Sequence, residues 1–314
     1  MGGDDAPEAI VDGAVAAASA LTVPIALVGA AAAVGAALAR HPDWARLPLS
    51  VVDAPETVGM ADAPVTSRRR RGASIRVAAE LVARDGGGAV VSAGNTGATV
   101  MAAHAAFGML PGVDRPALAI VVPTRTGPAV LLDAGATAEC RPAHLLQFAV
   151  MGAAYARIML GTARPRVGLL SIGGEECKGN DLTREAHRLL KSGPIHFIGN
   201  LEGHEIYTGA ADVIVCDGFT GNIVLKTSEG LIDVVDALLR DTVAGEDLLA
   251  RFRRVMDASE YGGAPLLGVN GLVVVGHGRS SPRAVHNAIT LAARLAEHGF
   301  VRRLEREIAA AAVS

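Results

Sequence analysis

The chain has 314 residues, of which 50% are hydrophobic and only 3% aromatic, and its 29 basic and 32 acidic residues nearly balance. This length is near the upper limit for one hydrophobic core, so one large domain or two lobes both fit it. A net charge of −3 argues against a dedicated nucleic-acid-binding protein, whose surface would be strongly basic. The cysteines (Cys140, Cys177 and Cys216) form no CxxC pair, which favours free thiols in a reducing compartment and argues against a zinc site.

The uncharged stretch from Gly13 to Ala39 raises the question of a membrane span. Pro24 and Gly29 interrupt it, and most of it is alanine, so we interpret it as helix, strand and helix. Asp4 and Asp5 stand where a secretory signal would carry positive charge. We therefore expect a soluble, cytoplasmic protein.

Strand-like and helix-like segments alternate along almost the whole chain. The predicted strands cover residues 25–28, 49–52, 89–91, 118–122, 130–132, 167–170, 196–198, 213–215 and 272–275. Several are continuous apolar runs, as expected for strands buried on both faces of a parallel sheet. The predicted helices cover residues 8–20, 30–40, 73–84, 142–159, 182–190, 222–242 and 282–297. This alternation predicts an α/β fold with a doubly wound, mainly parallel sheet.

Five predicted strands run directly into segments rich in glycine and polar residues. These strand-end segments are Ser92–Gly97, Asp133–Thr137, Ser171–Asn180, Asp217–Asn222 and Gly276–Ser281. Because ligands of open α/β sheets bind beyond the carboxyl ends of the strands, five such segments predict one cleft lined by several loops. Asp217–Asn222 is the most informative, since its two glycines allow a tight turn and the helix that follows offers free N–H groups to an anion.

Three nucleotide and hydrolase motifs are missing. No GxGxxG is followed by an acidic residue about 20 positions later, no GxxxxGK[ST] is present, and GxSxG is absent. The loops therefore favour a small phosphate or carboxylate anion without a nucleotide, and we expect neither a cofactor nor a metal.

The polar residues of these segments also have structural explanations. Lys178 could be an exposed lysine at a helix start, but the helix dipole disfavours a lysine there, which hints at a bound anion. Asn95, Asn222 and Asp217 could each simply cap a helix. His277 could make a loop hydrogen bond, and Asp133 could pair with an arginine. Cys177 and Cys216 could be small buried thiols.

Two segments without a clear pattern, residues 53–72 and 244–263, are predicted to be loops. The first contains four consecutive arginines, Arg68–Arg71, which are typical of a solvated face. The functional alternative is a contact with an acidic partner or an anionic lipid surface.

At these residues the chain resembles the PlsX family, the acyl-[acyl-carrier-protein]:phosphate acyltransferases of bacterial phospholipid synthesis. Seven strings carry the resemblance in the family's order: Met1–Asp4 with Ala6 and Pro7, Ser92–Ala98, Asp114–Leu118, Leu132–Ala136, Lys178–Asn180, Asp217–Asn222 and Tyr261–Gly268. Each string is weak by itself, but seven in order over nearly the whole chain are specific.

The resemblance implies an α/β/α sandwich like that of isocitrate and isopropylmalate dehydrogenases, spanning residues 1–314 as one catalytic domain or as two lobes around one cleft. It also implies a homodimer. The implied reaction converts acyl-[acyl-carrier-protein] (acyl-ACP) and inorganic phosphate to acyl phosphate and free ACP. A glycerol-3-phosphate acyltransferase would consume that product.

The family motifs place the catalytic lysine and asparagine at Lys178 and Asn222. We expect Lys178 and the glycine-loop amides to bind phosphate, and Asn222 with backbone N–H groups to bind the developing oxyanion. Asp217 would orient Lys178, and His277 would protonate the leaving thiolate. The predicted phosphate- and substrate-binding residues are Asp4, Asn95, Thr96, Gly97, Asp133, Asn180, Thr220 and Gly221.

The chain departs from the family pattern at several places. Relatives usually begin with a short strand before the Met-Gly-Gly-Asp string, so we expect that strand to be missing before Met1. Asp5 replaces a common histidine, Thr137 a common asparagine, and the loop at His277 is extended. Residues 246–260 look shorter and less lysine-rich than in relatives that associate with membranes, so peripheral contact with the inner face of the membrane is left open, with Arg251, Arg253 and Arg254 as remaining charges.

Two further functions stay open. The nearest is a short-chain phosphate acetyl- or butyryltransferase that uses coenzyme A. The second is a non-catalytic protein that binds an acyl carrier or a lipid. A dehydrogenase is a distant third.

Overall fold

The computed structural model describes residues 1–240 and 262–313. The chain divides into two compact units. Unit 1 comprises residues 1–110 and 259–301, and unit 2 comprises residues 111–258 and 302–314. No helix among the described residues is long and apolar enough to cross a membrane. The uncharged stretch near the amino terminus is divided between helix, strand and helix, as predicted.

The described helices and strands alternate in chain order. In the first part of the chain they are α1 (Glu8–Ala20), β1 (Ile25–Gly29), α2 (Ala31–Leu38), β2 (Leu49–Asp53), α3 (Thr66–Arg69), α4 (Ser74–Asp85), β3 (Val90–Ser92) and α5 (Thr96–Phe107). The middle contains β4 (Ala117–Leu118), β5 (Ile120–Thr124), β6 (Gly127–Leu132), α6 (Pro142–Met159), β7 (Arg166–Leu170), α7 (Asp181–Ser192), β8 (His196–Leu201), β9 (Val213–Val215) and α8 (Gly218–Arg240). The last part contains β10 (Ala264–Leu267), β11 (Val273–Val275), α9 (Pro282–Glu297) and α10 (Phe300–Val313).

Unit 1 contains two groups of paired strands. β1 pairs with β2 in parallel, with Ile25 opposite Leu49. β11 lies between β3, which is parallel to it, and β10, which is antiparallel. Helix α4 contacts both β1 and β3, and α1 packs along α9. This helix contact is close because Gly13 has no side chain: a Cβ there would lie 2.5 Å from the Cβ of Val285.

Unit 2 is built on a five-stranded sheet in the order β5-β6-β9-β7-β8. β6, β9, β7 and β8 are parallel, while β5 forms an antiparallel hairpin with β6. Helix α6 is buried along most of its length and packs on β6, β7 and β9, which explains its nearly continuous apolar sequence. Gly152 lets it approach the sheet, since a Cβ there would lie 2.6 Å from Val213 Cγ1.

The fold prediction is confirmed in class and corrected in detail. All nine predicted strands and all seven predicted helices exist, although the helix predicted to reach residue 242 is described only to Arg240. Four elements were missed: α3, which lies in a segment predicted to be a loop, and α5, β10 and α10. α5 consists mainly of small residues and shows no amphipathic stripe, so its sequence does not indicate a helix. β10 contains Pro265, and because proline is rare inside sheets, its sequence does not indicate a strand. The segment Asp217–Asn222 is not wholly a loop, because α8 begins at Gly218.

Candidate active site

Three of the five strand-end segments line one edge of the sheet in unit 2. They follow β6, β9 and β7, which are adjacent and parallel, with β9 in the middle. The carboxyl ends of parallel neighbours meet at one sheet edge, so Asp133–Thr137, Asp217–Asn222 and Ser171–Asn180 belong to one cluster of loops. For this unit, the predicted convergence of the segments is confirmed. The single cleft formed by all five segments stays a prediction.

Asp133 organises the loop after β6. Its carboxylate is fully buried and accepts hydrogen bonds from four backbone N–H groups, those of Leu118, Gly135, Ala136 and Thr137, at 2.6–3.0 Å. Burial raises the pKa of this carboxyl, and the four donors oppose that rise. The arginine partner that we considered is wrong, because backbone amides take its place. The buried Asp133 side chain shapes the loop, and its predicted contact with substrate stays a prediction.

The first turn of α8 packs directly on this loop. A Cβ at Gly218 would lie 2.5 Å from Asp133 Oδ2, and one at Gly221 would lie 1.8 Å from the Asp133 carbonyl oxygen. Side chains essentially never tolerate such distances, so both glycines are required for the helix to reach the loop. Gly221, predicted to bind substrate, therefore has a clear packing role.

Asp217 is the amino-terminal cap of α8. Its Oδ1 accepts the Thr220 N–H at 2.9 Å, and its Oδ2 accepts the Thr220 hydroxyl at 2.8 Å. The capping explanation is thus confirmed for Asp217. The predicted role of Asp217 in orienting Lys178 stays a prediction; in this structure its carboxylate pairs with Thr220, and no ion pair joins it to Lys178 in the described part of the chain.

Asn222 lies within the helix and has an exposed side chain. The capping explanation is therefore wrong for this residue. Its amide lies beside the loop after β6, since a Cβ at Gly135 would be 3.5 Å from Asn222 Oδ1. Within residues 1–240 and 262–313 this side chain makes no hydrogen bond, which leaves its N–H₂ group available to an oxygen atom.

Lys178 lies in the loop after β7, two residues before the cap of α7. Its side chain is exposed, and its stem passes over Gly173, where a Cβ would lie 2.8 Å from Lys178 Cγ. The described residues offer its ammonium group no ion pair. Asn180 caps α7 by accepting the Thr183 N–H at 2.9 Å, and Gly179 adopts φ +105°, a conformation that favours glycine.

The three cysteine thiols differ in burial, and burial raises the pKa of two of them. Cys216 is buried, and burial raises its pKa well above the ordinary value. Burial, with the nearby Asp133 charge, raises the pKa of Cys140 to about 12. Cys177 is exposed, so our expectation that it would be buried is wrong, while that for Cys216 is confirmed. Neither Cys140 nor Cys216 is a thiolate near neutral pH, which argues against nucleophilic catalysis by them.

In unit 1, Asn95 is a structural residue. Its Oδ1 caps α5 by accepting the Ala98 N–H, and its Nδ2 donates to the carbonyl oxygens of Gly59, Met60 and Asp62 at 3.0–3.3 Å. The capping explanation is confirmed, and these contacts fix the loop of residues 59–62. The N–H groups of Thr96 and Gly97 stand at the helix start, where an anion would be favoured.

The remaining predicted site residues of unit 1 lie nearby in the same unit. The Asp4 N–H donates to the Gly278 carbonyl at 2.9 Å, which joins the amino-terminal string to the loop after β11. His277 is exposed, and its Nδ1 accepts the Arg279 N–H at 3.1 Å, which leaves the proton on Nε2 of the neutral ring. The loop hydrogen bond considered for His277 is confirmed.

The four consecutive arginines, Arg68–Arg71, differ in their exposure to solvent. Arg70 is half-buried, donating to the Thr57 carbonyl and pairing with Asp62 at 3.1 Å. Arg68, Arg69 and Arg71 are exposed, which agrees with a solvated face. The second basic group predicted from the sequence, Arg251, Arg253 and Arg254, lies outside the described residues.

Two glycines were missed as parts of the site. Gly135 lies beside the Asn222 amide and Gly173 lies under the stem of Lys178. Both belong to strand-end segments that the sequence marked as important. The available signal was a glycine within four residues after a buried strand, but only coordinates show which side chain each glycine accommodates.

The fold is that of a group of α/β enzymes with known structures. A phosphotransacetylase from Streptococcus pyogenes matches with a TM-score of 0.63 at 20% identity, covering 91% of each chain. A 4-hydroxythreonine-4-phosphate dehydrogenase from Klebsiella pneumoniae matches with a TM-score of 0.55 at 14% identity, covering 92% of this chain and 95% of the other. At these identities the comparisons establish the fold alone, and they agree with the predicted α/β sandwich of mainly parallel strands.

Sequence comparison establishes the family. The model of the family described as "Fatty acid synthesis protein" matches residues 1–303. A phosphate acyltransferase of Acidobacterium capsulatum is 49% identical, covering 100% of this chain and 96% of the relative, and one of Syntrophotalea carbinolica is 48% identical, covering 93% and 87%. The chain belongs to this family, the PlsX family, as its motifs indicated. It is an acyltransferase.

Proposed function

We propose that this enzyme transfers the acyl group of acyl-ACP to inorganic phosphate, which yields acyl phosphate and free ACP. The observation that carries the proposal is the sheet edge of unit 2. There an exposed lysine in the loop after β7 and an exposed asparagine near the start of α8, which follows the adjacent strand β9, have no partners among the described residues. The names of the curated relatives, phosphate acyltransferases, support phosphate as the acceptor.

The charge of the site suits phosphate. The Lys178 ammonium projects from the loop before α7, and α8 presents its amino-terminal end on the adjacent strand. A cation and the positive end of a helix dipole together favour a bound dianion. Lys178 would hold the phosphate, assisted by backbone N–H groups of the glycine-rich loops and by Asn180 and Thr220 at the helix starts.

Phosphate also supplies the nucleophile. A phosphate oxygen attacks the thioester carbonyl carbon, which forms a C–O bond and moves the carbonyl electron pair onto oxygen. The Asn222 N–H₂ group would donate to that oxyanion, an effect worth about 2.7–4 kcal/mol per donor in other enzymes. When the intermediate collapses, the C–S bond breaks and the thiolate leaves. No thiolate of the protein is needed, in keeping with the raised pKa values of Cys140 and Cys216.

The leaving thiolate must take up a proton. We assign this role to His277, whose Nε2 carries the ring proton when Nδ1 accepts the Arg279 N–H. For Asp4, Thr96 and Gly97 the substrate-binding role stays a prediction, and within unit 1 the N–H groups of the latter two stand at the start of α5, where an anion would be favoured. The mechanism uses no metal and no cofactor.

A carrier protein as acyl donor requires a docking surface. ACP is strongly acidic, and the exposed cations Arg68, Arg69 and Arg71 form the described part of a basic surface that would attract it. The family's place in fatty acid synthesis agrees with this donor. We assign the enzyme to bacterial phospholipid synthesis in the cytoplasm, where a glycerol-3-phosphate acyltransferase would use the acyl phosphate.

A homodimer is part of the proposal. Helix α8 exposes a row of large apolar side chains, Leu231, Val234 and Leu238, which are 62%, 56% and 64% exposed. Their spacing of three and four residues puts them on one helix face. A second copy of the chain would cover this face, because large exposed apolar patches mark association sites.

One assay separates this function from the two competing ones. The purified protein receives phosphate with acyl-ACP or acyl-CoA of several chain lengths, and acyl phosphate is trapped with hydroxylamine while free thiol is counted. Acyl-ACP should give phosphate-dependent acyl phosphate and an equal amount of thiol. Preference for short-chain acyl-CoA would instead identify a phosphate acetyl- or butyryltransferase. Binding of acyl-ACP without phosphate-dependent thiol release would identify a non-catalytic carrier-binding protein.

A further inference from the structure

A buried amide near the end of β8 holds the loop that carries Lys178. Asn200 is 9% exposed, and its Nδ2 group donates to the carbonyl oxygens of Gly173 at 3.3 Å and Glu175 at 2.9 Å. Both acceptors belong to residues 171–180, the loop between β7 and α7, which we term the lysine loop. Because β8 pairs with β7 in the sheet, the Asn200 side chain ties the lysine loop to the neighbouring strand.

Both residues that accept from Asn200 also contact Lys178. The Glu175 carbonyl accepts the Lys178 backbone N–H at 3.0 Å. Gly173 lies under the lysine stem, where a Cβ would be 2.8 Å from Lys178 Cγ. One amide therefore fixes the peptide group that holds the Lys178 main chain and the one beneath its side chain. The lysine stem is flexible and its ammonium group has no ion pair among the described residues, so its position depends on these two supports.

His187 fixes the orientation of the Asn200 amide. Its ring is buried on α7, and its Nδ1 lies 2.8 Å from Asn200 Oδ1. Carbonyl oxygens only accept hydrogen bonds, so Asn200 Nδ2 must face Gly173 and Glu175, and Oδ1 must face the histidine. Because Oδ1 also only accepts, Nδ1 of His187 carries a proton. Every donor and acceptor of the Asn200 amide is thus paired in a buried place, where the loss of one partner is costly.

The His187 ring is itself held by packing. It lies edge to face with Phe197 of β8, with ring centroids 5.0 Å apart and an interplanar angle of 79°. Its Nε2 is 3.8 Å from Glu176 Oε2, which is too long for a hydrogen bond. The contact of Nδ1 with Asn200 is therefore the polar link between α7 and the lysine loop that this ring provides.

We propose that Asn200 and His187 are positioning residues for the acyl transfer, which hold the lysine loop so that the Lys178 ammonium group meets the phosphate. This role depends on the proposed function, because it takes Lys178 to be the cation that binds phosphate. Asn200 acts through the carbonyl groups of the loop, and His187 acts through Asn200. Both lie outside the strand-end segments, on β8 and α7.

A double-mutant cycle separates positioning from general damage. Asn200→Ala should lower kcat/KM for phosphate by about 10-fold or more, because a small misplacement of a binding group is costly. In the Lys178→Ala background the same substitution should have little further effect, since the group that it positions is gone. Asn222→Ala is the matched background, with an expected loss of similar size, and there the full effect of Asn200→Ala should persist. Equal further losses in both backgrounds, or unchanged activity of folded Asn200→Ala, would overturn the proposal.

A pair of His187 variants applies the same test if Asn200→Ala does not fold. His187→Asn keeps an N–H₂ donor about where Nδ1 lies, whereas His187→Phe keeps a ring against Phe197 and removes the donor. Positioning through Asn200 predicts that His187→Asn retains more activity than His187→Phe. A merely structural role predicts the reverse order, because aromatic packing is kept only in His187→Phe. Equal or higher activity of His187→Phe would count against the proposal.

Hydrogen exchange separates failure of this role from failure of the proposed function. Asn200→Ala should speed amide exchange in residues 171–180 and leave that of β6 and β9 unchanged, whatever reaction the protein catalyses. Unchanged exchange in the lysine loop would overturn the proposal. The unsubstituted enzyme and Lys178→Ala, assayed with acyl-ACP and phosphate, test the proposed function alone. No acyl phosphate from the former, or full activity of the latter, would contradict that function, while the exchange rates still decide whether Asn200 holds the loop.

Discussion

The amide side chain of Asn222 lies beside Gly135, where a Cβ would be only 3.5 Å from Asn222 Oδ1. This contact joins the second turn of α8 to the loop that Asp133 holds in place. The amide makes no hydrogen bond with the described residues, so its N–H₂ group stays available to a developing oxyanion beside this loop.

Replacing Asn222 tests this role. Asn222→Ala should lower kcat by about 10²-fold or more while the protein stays folded, because one oxyanion donor is removed. Asn222→Asp provides a matched control, since it keeps the shape but replaces the donor with a charged acceptor, and it should be at least as inactive. Steady-state rates with acyl-ACP and phosphate, alongside circular dichroism, give the measurement. Near-normal turnover in either folded variant would remove Asn222 from the mechanism.

Lys178 should act on phosphate. Lys178→Ala removes the cation from the loop before α7 and should cut turnover by about 10²-fold, with KM for phosphate raised. Lys191→Ala is the charge-matched control, since Lys191 is exposed and pairs with Glu176 at 2.8 Å on the same unit. It should leave both constants almost unchanged. Equal effects of the two substitutions would show that general charge, and not a specific phosphate contact, is responsible.

Asp217 is expected to stabilise α8. Asp217→Ala removes the cap on Thr220 and should lower the free energy of unfolding by about 0.5–2 kcal/mol. Asp217→Ser keeps a capping oxygen without the charge, so it should restore most of this stability and also most of the activity. Denaturant unfolding and kcat are measured on the same samples. A stable but inactive Asp217→Ser variant would instead favour an electrostatic role.

The thiols should differ in reactivity with pH. With its pKa at about 12, Cys140 stays protonated through the neutral range, and its alkylation should accelerate only as pH approaches that value. The buried Cys216 should resist iodoacetamide in the folded protein at every pH where the fold persists. The exposed Cys177 should be modified first. Mass spectrometry of the labelled peptides gives the order, and rapid neutral-pH labelling of Cys216 would contradict the structure.

The sequence predicted the α/β class and the positions of the strand-end segments because buried parallel strands are apolar runs and glycine marks the turns after them. It could not predict which polar side chains cap helices and which are left without protein partners. Asp217, Asn95 and Asn222 look alike in sequence, yet the first two are helix caps and the third is free of protein partners in the described part of the chain. That difference depends on where α8 begins, and a shift of a few residues at a helix start is beyond what periodicity resolves.

The arginine run offers a test of the carrier protein as acyl donor. Reversing the exposed charges in Arg68→Glu, Arg69→Glu and Arg71→Glu together should raise KM for acyl-ACP, because an acidic partner is now repelled, with little effect on a small acyl thioester. Arg70 is kept, since it holds the Thr57 carbonyl and Asp62 and its loss would disturb the loop. The effect should shrink as salt is added, because screening weakens attraction between exposed charges. If KM for acyl-ACP at low salt is unchanged, this surface is excluded as the docking site. If activity with the small acyl thioester falls to the same extent, the substitutions have damaged the active site itself.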